Sequence, residues 1–272
     1  MSVKTVLVTG VYGLIAGDIY NHLADRPDQY EVRGLARRRH PSVRAPGDRP
    51  VEVPQERFHL ADLTDYDGLR RAMEGVDVVV QMAADPRGEA DWDSILASNI
   101  VGPRNVFEAA CEAGVKRVVF ASSIMVSWGY QDDEPYSRVF EGRYDELGED
   151  FRPLTHEAPP RPTSYYPASK VWGEALGRYY ADQRDLSVIC LRIGWVNGED
   201  RPHTHEWARA TWCSRRDMVQ MAERSIEAAD DLRYDVFYCL SDNRYNWVDI
   251  DHARQVLGYT PQDSAEERLG LD

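Results

Sequence analysis

The sequence predicts an α/β fold, a doubly wound parallel sheet with a small C-terminal region that caps the substrate side. A β-branched run at residues 4–9 stops at Gly10, and a helical pattern follows from Leu14, which is typical of a strand, a tight turn and a helix. Nearly continuous apolar runs recur at residues 76–82 and 115–121, as in strands that are covered on both faces. Alternation of such strands with helical patterns favours a parallel sheet flanked by helices.

The remaining elements are predicted from shorter apolar runs and helical patterns, in chain order. We expect strands at 30–35, 57–60 and 186–193, helices at 14–24, 66–73, 94–113 and 164–182, and then a helix at 213–229, a short strand at 236–240 and a helix at 250–257. The expected domains are residues 1–194, which bind a nucleotide, and residues 195–272, a small capping region partly interleaved with the first.

One segment, at about residues 130–162, breaks the alternation. It is rich in acidic residues, aromatic residues and prolines. Insertions of this length in a compact domain are usually functional covers or disordered segments, and the aromatic residues here favour an ordered lid.

Composition excludes several classes of partner. The chain has 272 residues, 46 acidic and 32 basic, which gives a formal net charge of −14. Such a charge repels nucleic acid and anionic membrane, and no apolar run is long enough to span a bilayer. We therefore expect a small-molecule substrate, no nucleic acid and no membrane, and the lack of a signal-peptide pattern predicts a cytoplasmic location.

Cysteines and histidines predict neither a disulfide framework nor a metal site. The four cysteines are widely scattered, without a C-x-x-C pair. His203 and His205, followed by Glu206, lack helical spacing and a third ligand with clear geometry. No G-x-S-x-G elbow occurs either, so a serine hydrolase is not indicated.

Residues 10–16 form a G-x-x-G-x-x-A arrangement between the first strand and the first helix. Gly10 lets the backbone approach a pyrophosphate, and the helix N-terminus offers unpaired N–H groups and a positive dipole end. Ala16 stands in place of a third glycine and still permits close helix–strand packing. An ordinary glycine turn is the alternative, but the flanking elements favour dinucleotide binding in a Rossmann-type fold.

The second strand leads into three arginines, Arg37, Arg38 and Arg39. A fold that selects NAD commonly places an acidic residue there, against the ribose hydroxyls. Guanidinium groups suit bidentate capture of a 2′-phosphate, so the sequence favours NADP over NAD. A solvated surface cluster is the alternative interpretation.

Tyr166 and Lys170 lie four residues apart, which places a phenol and an ammonium group on one helical face. A lysine near a phenol favours the phenolate, so we expect a lowered tyrosine pKa and proton exchange with a substrate hydroxyl. Ser122 and Ser123 end the fifth strand, at the sheet edge where ligands bind in such folds. An amphipathic helix with a snorkelling lysine would explain the first pair without any function.

Taken in this order, the motifs resemble the extended short-chain dehydrogenase/reductases of the NAD-dependent epimerase/dehydratase superfamily over nearly the whole chain. Asn99 begins a stretch similar to the N-x-x-G-x-x-N helix of these enzymes. Residues 92–96, 192–194, 210–217 and 257–266 look most like uronate dehydrogenases and related archaeal sugar dehydrogenases, which oxidise the anomeric carbon of a sugar to a lactone.

The resemblance implies a role for each catalytic residue. Tyr166 would be the general base, Lys170 its electrostatic partner and a ribose ligand, and Ser123 the group that orients the substrate hydroxyl. Asn99 would support Lys170 through a backbone or water link. It also implies a homodimer formed through the helices at 94–113 and 164–182. The expected cofactor contacts are Gly10, Tyr12, Gly13, Leu14, Ile15, Arg37, Arg38, Asp62, Leu63, Met82, Ala83, Ala84, Asn99, Ala121, Tyr166, Lys170 and Ile193.

The expected substrate contacts depart from those of uronate dehydrogenases. Ile124 and Met125 stand where those enzymes have an Asn-His pair, and Trp195 replaces a serine. Trp207 aligns with the arginine that grips the substrate carboxylate, although Arg209 lies two residues away. A buried carboxylate without a cationic partner is costly, so these changes predict a substrate other than a uronate.

The sequence therefore predicts an NAD(P)-dependent oxidoreductase, with NADP favoured, that acts on a hydroxyl or carbonyl of a sugar-like compound. A nucleotide-sugar epimerase or dehydratase uses the same Tyr and Lys, but the chain after Gly194 is short for holding a nucleotide diphosphate. A non-catalytic NADP-sensing protein is the second alternative, although such a protein has no use for a proton-transfer set.

Overall fold

A parallel sheet of seven strands forms the centre of the computed structural model, which describes residues 3–45 and 47–271. Its strand order is β3-β2-β1-β4-β5-β6-β7, and all neighbouring pairs are parallel. The predicted fold class is confirmed. The strands are β1 (Lys4–Thr9), β2 (Tyr30–Ala36), β3 (Phe58–Leu60), β4 (Val78–Gln81), β5 (Arg117–Ser123), β6 (Ser187–Ile193) and β7 (Tyr234–Cys239).

Helices cover both faces of the sheet. Side chains alternate along each strand, so in β1 Val6 and Val8 enter one core cluster while Leu7 enters the cluster on the opposite face. No helix in the described part of the chain is both long and apolar enough to cross a membrane. The helices are α1 (Leu14–Ala24), α2 (Tyr66–Ala72), α3 (Trp92–Ile95), α4 (Gly102–Ala113), α5 (Tyr136–Phe140), α6 (Tyr165–Gln183), α7 (Glu206–Arg209), α8 (Arg215–Ile226), α9 (Asp251–Leu257) and α10 (Ala265–Leu269).

The strand order reverses between β1 and β4, and this switch point places a crevice at the carboxyl ends of the strands. Gly10 follows β1 there with a φ of 68°, and a Cβ atom on it would lie 3.0 Å from the Cα of Ala83. Only glycine adopts this conformation readily and allows so close an approach. The sequence-predicted turn thus forms the floor of the crevice.

The helix predicted at 94–113 is not continuous. It begins as α3, passes through a π-helical turn at Leu96–Val101 and continues as α4. Such a turn widens the helix by one residue and is frequent at functional sites. Asn99 lies within this turn and is 2% exposed.

The insertion is folded and shares a hydrophobic cluster with the C-terminal region. It is called the lid below, and its action as a cover of the site stays a prediction. Its residues pack against Trp247 and Val248 of the C-terminal region, and Leu154 forms an isolated parallel bridge with Val248. The C-terminal region also adds β7 to the main sheet, and α8 packs against α1. Residues 195–272 therefore contribute to the central layers as well as to the cap, and a separable capping unit beyond residue 194 stays a prediction.

Residues 37–54, the first part of the connection between β2 and β3, are called the strap below. A 3₁₀ turn at Gln55–Arg57 leads from it into β3. The backbone N–H of Ser42 donates to the carbonyl of Tyr12 at 2.9 Å, so the strap lies against the glycine turn. Arg215 holds it from the other side by pairing with both Asp18 of α1 and Asp48 of the strap. The strap thus brings its basic residues to the mouth of the crevice.

Candidate active site

Helix α6 carries Tyr166 in its first turn and Lys170 one turn later, as the spacing predicted. The Lys170 Nζ lies 5.6 Å from the centre of the Tyr166 ring and donates a hydrogen bond to the carbonyl of Ala121 at 2.8 Å. Ala121 is two residues before Ser123 in β5, so the lysine fastens the helix to the strand that ends at the serine. The side chains of Ser123, Tyr166 and Lys170, three of the four expected catalytic residues, meet at this edge of the sheet.

Ser123 ends β5 and caps the short 3₁₀ turn that follows. Its Oγ accepts a hydrogen bond from the backbone N–H of Met125 at 3.2 Å. Burial raises the pKa of Tyr166, and the interaction of the Ser123 hydroxyl with its phenol partly opposes that rise. A serine at this position can therefore hold a substrate oxygen beside the phenol.

The pKa of Tyr166 differs from the expectation. Burial raises the pKa of Tyr166. The hydrogen bond with Ser123 and the positive charge of Arg44 lower it, but they offset only part of the rise. Lys170 is not among the charges that lower the tyrosine pKa, in contrast to the expectation. Burial also lowers the pKa of Lys170 to about 8. The Tyr166 phenol is therefore a weaker acid than a free tyrosine in this structure.

Asn99 makes no hydrogen bond to Lys170 in the described residues, and the expected link through the backbone or a water stays a prediction. Its side-chain amide bridges Asp85, accepting from the backbone N–H at 2.8 Å and donating to the carbonyl at 3.0 Å. It also donates to the Ser169 Oγ at 3.2 Å, and Ser169 donates in turn to the Tyr166 carbonyl at 2.6 Å. Asn99 therefore ties the end of β4 to the first turn of α6.

The glycine turn fits the pyrophosphate of a dinucleotide. Gly13 caps α1 without a side-chain hydrogen bond, so the first-turn N–H groups, which include those of Leu14 and Ile15, are open to an anion. Thr9 Oγ1 accepts from the N–H groups of Met82 and Ala83, both at 3.1 Å, and thereby fixes the opposite wall.

The other expected cofactor contacts lie at or near this edge of the sheet. Tyr12 is in the turn and Ala84 follows β4. Ala121 and Ile193 are among the last three residues of β5 and β6. Asp62 is exposed, its carboxylate accepts from Thr64, and the neighbouring Leu63 is buried. Nothing in these positions conflicts with a bound dinucleotide.

The three arginines after β2 are not equivalent. Arg39 donates to the carbonyl of Val53 at 2.9 Å and lies over the Phe58 ring. Arg37 and Arg38 are exposed, and in the described residues neither has an ion-pair partner. These two arginines remain available to a ligand.

An aromatic wall stands beyond the end of β6. The rings of Trp195 and Trp207 are 4.8 Å apart, and Trp207 continues the row with an edge contact to Trp128 at 6.2 Å. Trp195 is 39% exposed, so the wall has an open face. Such a surface suits the apolar C–H face of a sugar ring.

Two of the expected substrate contacts, Ile124 and Arg209, already contact the insertion and its hydrophobic cluster. Ile124 is 3% exposed and belongs to the hydrophobic cluster under the lid, where Met125 packs against it. Arg209 lies two residues after Trp207, hence on the opposite side of α7, and donates to the Tyr144 hydroxyl of the lid at 3.2 Å. It also donates to Glu206 at 3.3 Å, and its Nε is buried without a partner in the described residues. A contact of Arg209 with the substrate stays a prediction.

Sequence reasoning missed the pair formed by Asp85 and Arg87. The guanidinium binds the Asp85 carboxylate through Nε at 3.0 Å and Nη2 at 2.6 Å, and this pairing lowers the pKa of Asp85. The Asp85 charge reaches Tyr166, and the Arg87 side chain is 64% exposed. An acidic and a basic residue two apart after an apolar run were the only signal in the sequence.

Comparison with known proteins agrees with this geometry. Residues 6–239 match the model of the NAD dependent epimerase/dehydratase family. The chain is 38% identical over 264 residues to a NAD-dependent glucose-6-phosphate dehydrogenase of Haloferax volcanii, covering 97% of this chain and 95% of the relative. It is 34% identical to a uronate dehydrogenase of Pseudomonas putida, over 80% of this chain and 72% of that one.

Solved structures give the same result. Uronate dehydrogenase from Agrobacterium tumefaciens, as the Y136A mutant complexed with NAD, superposes with a TM-score of 0.76 and 26% identity, covering 99% of this chain and 89% of that one. Glucuronic acid dehydrogenase from Chromohalobacter salexigens also superposes with a TM-score of 0.76. It is 27% identical, and the match covers 100% of this chain and 90% of that one. The chain therefore belongs to the NAD dependent epimerase/dehydratase family and is an enzyme of the short-chain dehydrogenase/reductase superfamily.

Proposed function

We propose that this enzyme is a sugar dehydrogenase that prefers NADP and uses Tyr166 as its general acid/base. The observation that carries the proposal is the meeting of Ser123, Tyr166 and Lys170 at the carboxyl edge of β5, beside an open aromatic wall. The relatives' names point the same way, since they include glucose-6-phosphate, L-arabinose and uronate dehydrogenases.

Each residue has one task in the oxidation. Ser123 donates a hydrogen bond to the substrate oxygen and holds it near Tyr166, whose phenolate takes the hydroxyl proton onto Oη. The dinucleotide, when bound, accepts the hydride. Lys170 keeps two N–H donors beyond the one used by Ala121, enough to bind ribose hydroxyls and to stabilise the phenolate.

The substrate class follows from the wall and from the charges at the mouth of the crevice. Trp195 and Trp207 offer stacking surface for a pyranose or furanose ring. Arg87 adds an exposed guanidinium whose Nη1 has no partner in the described residues. Aldoses and aldose phosphates are therefore the first substrates to test.

The NADP preference rests on Arg37 and Arg38. Both are exposed at the end of β2, where no carboxylate follows Ala36 to repel a 2′-phosphate. The relative from Haloferax volcanii is named as NAD-dependent, so cofactor choice has to be measured on this chain itself.

A homodimer is proposed through α3 and α6. Trp92, Tyr165 and Trp172 are 51%, 61% and 42% exposed there, and the rings of the first two are in edge contact at 5.5 Å. Large apolar side chains on neighbouring helices are typical of a subunit interface. Light scattering should give twice the chain mass, and Trp172→Glu should give a monomer; a monomeric wild type would refute the dimer.

The activity test is a screen at the reduced-nicotinamide absorbance band. Aldoses, aldose phosphates, uronates and simple ketones are offered with NAD and with NADP. Reduction of NADP by at least one sugar, absent in Tyr166→Phe, supports the proposal. Tight cofactor binding without turnover of any compound points instead to the sensing protein, and epimerised sugar without net reduced cofactor points to an epimerase.

A further inference from the structure

Three side chains from distant parts of the chain meet outside the active site. His156 comes from the lid, Asp235 from β7 and His252 from α9. Their ligand atoms lie within 4.8 Å of one another, and each residue is only partly buried. No step of the proposed reaction uses them.

The contacts within this cluster are specific. The His252 Nε2 lies 3.0 Å from both carboxylate oxygens of Asp235. The His156 ring stacks on the His252 ring at 3.9 Å with 12° between their planes, and Phe237 covers the other face of His252. The Nδ1 of His156 is buried and has no hydrogen-bond partner in the described residues.

The donor set matches a transition metal, Zn²⁺ above all. Zinc takes imidazole nitrogen and carboxylate oxygen at about 2.0–2.2 Å, which places the ligand atoms of a tetrahedral site roughly 3.3 Å apart. The His252–Asp235 distance of 3.0 Å is already close to that value. His156 has to move inward by about 1–1.5 Å and tilt off the stack, because the lone pairs of two parallel rings do not converge on one ion.

We propose that His156, Asp235 and His252 bind one zinc ion, with water as the fourth ligand on the exposed side. Without the ion, the buried Nδ1 of His156 lacks a hydrogen-bond partner, which lowers the free energy of unfolding. The bound ion would supply that partner. The ion would fasten the lid to β7, a strand of the sheet, and to α9, the helix that packs against β7.

The site is structural rather than catalytic. Asp235 lies four residues before Cys239 at the end of β7, which is about 13 Å of strand from the edge where Ser123 ends β5. An ion there cannot reach the substrate. It would instead limit how far the lid opens.

The competing interpretation is a stack that needs no ion. His252 then donates Nε2–H to Asp235, and His156 covers the pair as a neutral ring. The two interpretations differ in whether the protein takes up zinc, which can be measured without any enzyme assay.

The test uses the full chain, stripped with a chelator and then titrated with Co²⁺ and with Zn²⁺. We expect one equivalent of Co²⁺ with the visible absorption of a four-coordinate site, displaced by Zn²⁺. Zinc at a hundredfold excess over its dissociation constant should raise the melting temperature by about 5–10 °C. Both responses should disappear in His156→Gln and in Asp235→Asn and persist in His40→Gln, a change at an exposed histidine of the strap.

Two outcomes would overturn the proposal. One is a wild-type protein that takes up no Co²⁺ or Zn²⁺ at micromolar concentrations, which leaves the ion-free stack. The other is an equivalent of metal that His156→Gln and Asp235→Asn still bind, because the metal then lies elsewhere. Circular dichroism of each stripped variant shows whether it is folded, and Asp235→Asn keeps the size of the side chain in case His156→Gln is not.

Discussion

The Nζ of Lys170 is 2.8 Å from the carbonyl oxygen of Ala121, and this bond sets the position of the catalytic helix on the sheet. Lys170 is 4% exposed and, in the described residues, has no acidic partner. A backbone carbonyl and the ring faces of Phe120 and Tyr166 are its neighbours. A buried ammonium without a counter-charge is costly, which is why its pKa falls to about 8.

This burial predicts a pH dependence of stability. In the unfolded chain a lysine titrates near 10.4, whereas Lys170 in the folded enzyme titrates at about 8. Between these values the unfolded state binds more protons, so the contribution of Lys170 to the unfolding free energy rises with pH, by at most about 1.4 kcal/mol per unit. Below pH 8 the buried Lys170 is charged, so its full cost to the unfolding free energy remains.

Comparison of the wild type with Lys170→Met isolates the contribution of Lys170, because all other titrating groups are present in both proteins and cancel in the difference. The unfolding free energy of the wild type minus that of Lys170→Met should rise from about pH 8 to pH 10, measured by urea unfolding at each pH. Lys116→Met, at a side chain that is 79% exposed, should give a nearly flat difference. A flat difference for Lys170→Met as well would show that the lysine keeps its ordinary pKa.

Tyr166→Phe should reduce kcat by about 10²–10⁴-fold, because it removes the group that takes the proton. Cofactor affinity should change by less than about threefold, since the phenol contributes little ground-state binding. Tyr165→Phe, one residue earlier and 61% exposed, should keep kcat within about twofold. Fluorescence titration of cofactor and steady-state rates give both quantities; full activity in Tyr166→Phe would remove the tyrosine from the mechanism.

The sequence was sufficient for the sheet, the glycine turn and the order of the catalytic residues, because each depends on local spacing. The sequence could not show that the Lys170 ammonium donates to the Ala121 carbonyl. Nor could it show that the Asn99 side chain hydrogen-bonds the backbone of Asp85. Those contacts join segments 49 and 14 residues apart, and their geometry depends on how the helix packs on the strand. The sequence could not show either that Arg209 contacts Tyr144 of the lid, because that contact joins residues 65 apart.

Arg37→Gln combined with Arg38→Gln should weaken NADP binding by about tenfold or more and change NAD binding by about twofold at most, because only NADP has a 2′-phosphate for the guanidinium groups. Dissociation constants of both cofactors are compared with those of Arg71→Gln, an exposed arginine on α2. Equal losses for the two cofactors would leave Arg37 and Arg38 as surface residues.

Trp207→Leu should raise KM for the best sugar by about three- to tenfold and leave kcat unchanged, since stacking on the ring binds ground state and transition state alike. Trp195 loses its neighbour at 4.8 Å, so the wall would be less rigid as well. The control is Tyr179→Leu, which truncates a 50% exposed aromatic side chain on α6. A fall in kcat at constant KM would mean that Trp207 positions the reacting atoms instead.

Glu174 and Arg192 form a buried ion pair under the catalytic edge, with side chains 6% and 3% exposed. Glu174 Oε1 also accepts from Ser122, the neighbour of Ser123, at 2.6 Å, and Arg192 donates to the carbonyl of His156 in the lid at 3.2 Å. Glu174→Gln leaves the guanidinium buried without its charge partner, so the unfolding free energy should fall by about 3–5 kcal/mol.

The double variant Glu174→Met, Arg192→Leu removes both charges and should be more stable than Glu174→Gln, because no uncompensated charge remains. Urea unfolding of Glu174→Met, Arg192→Leu, the double variant and the wild type completes the cycle. If Glu174→Gln costs less than about 1 kcal/mol, water reaches the guanidinium and the pair is not a fixed link between β5 and the lid.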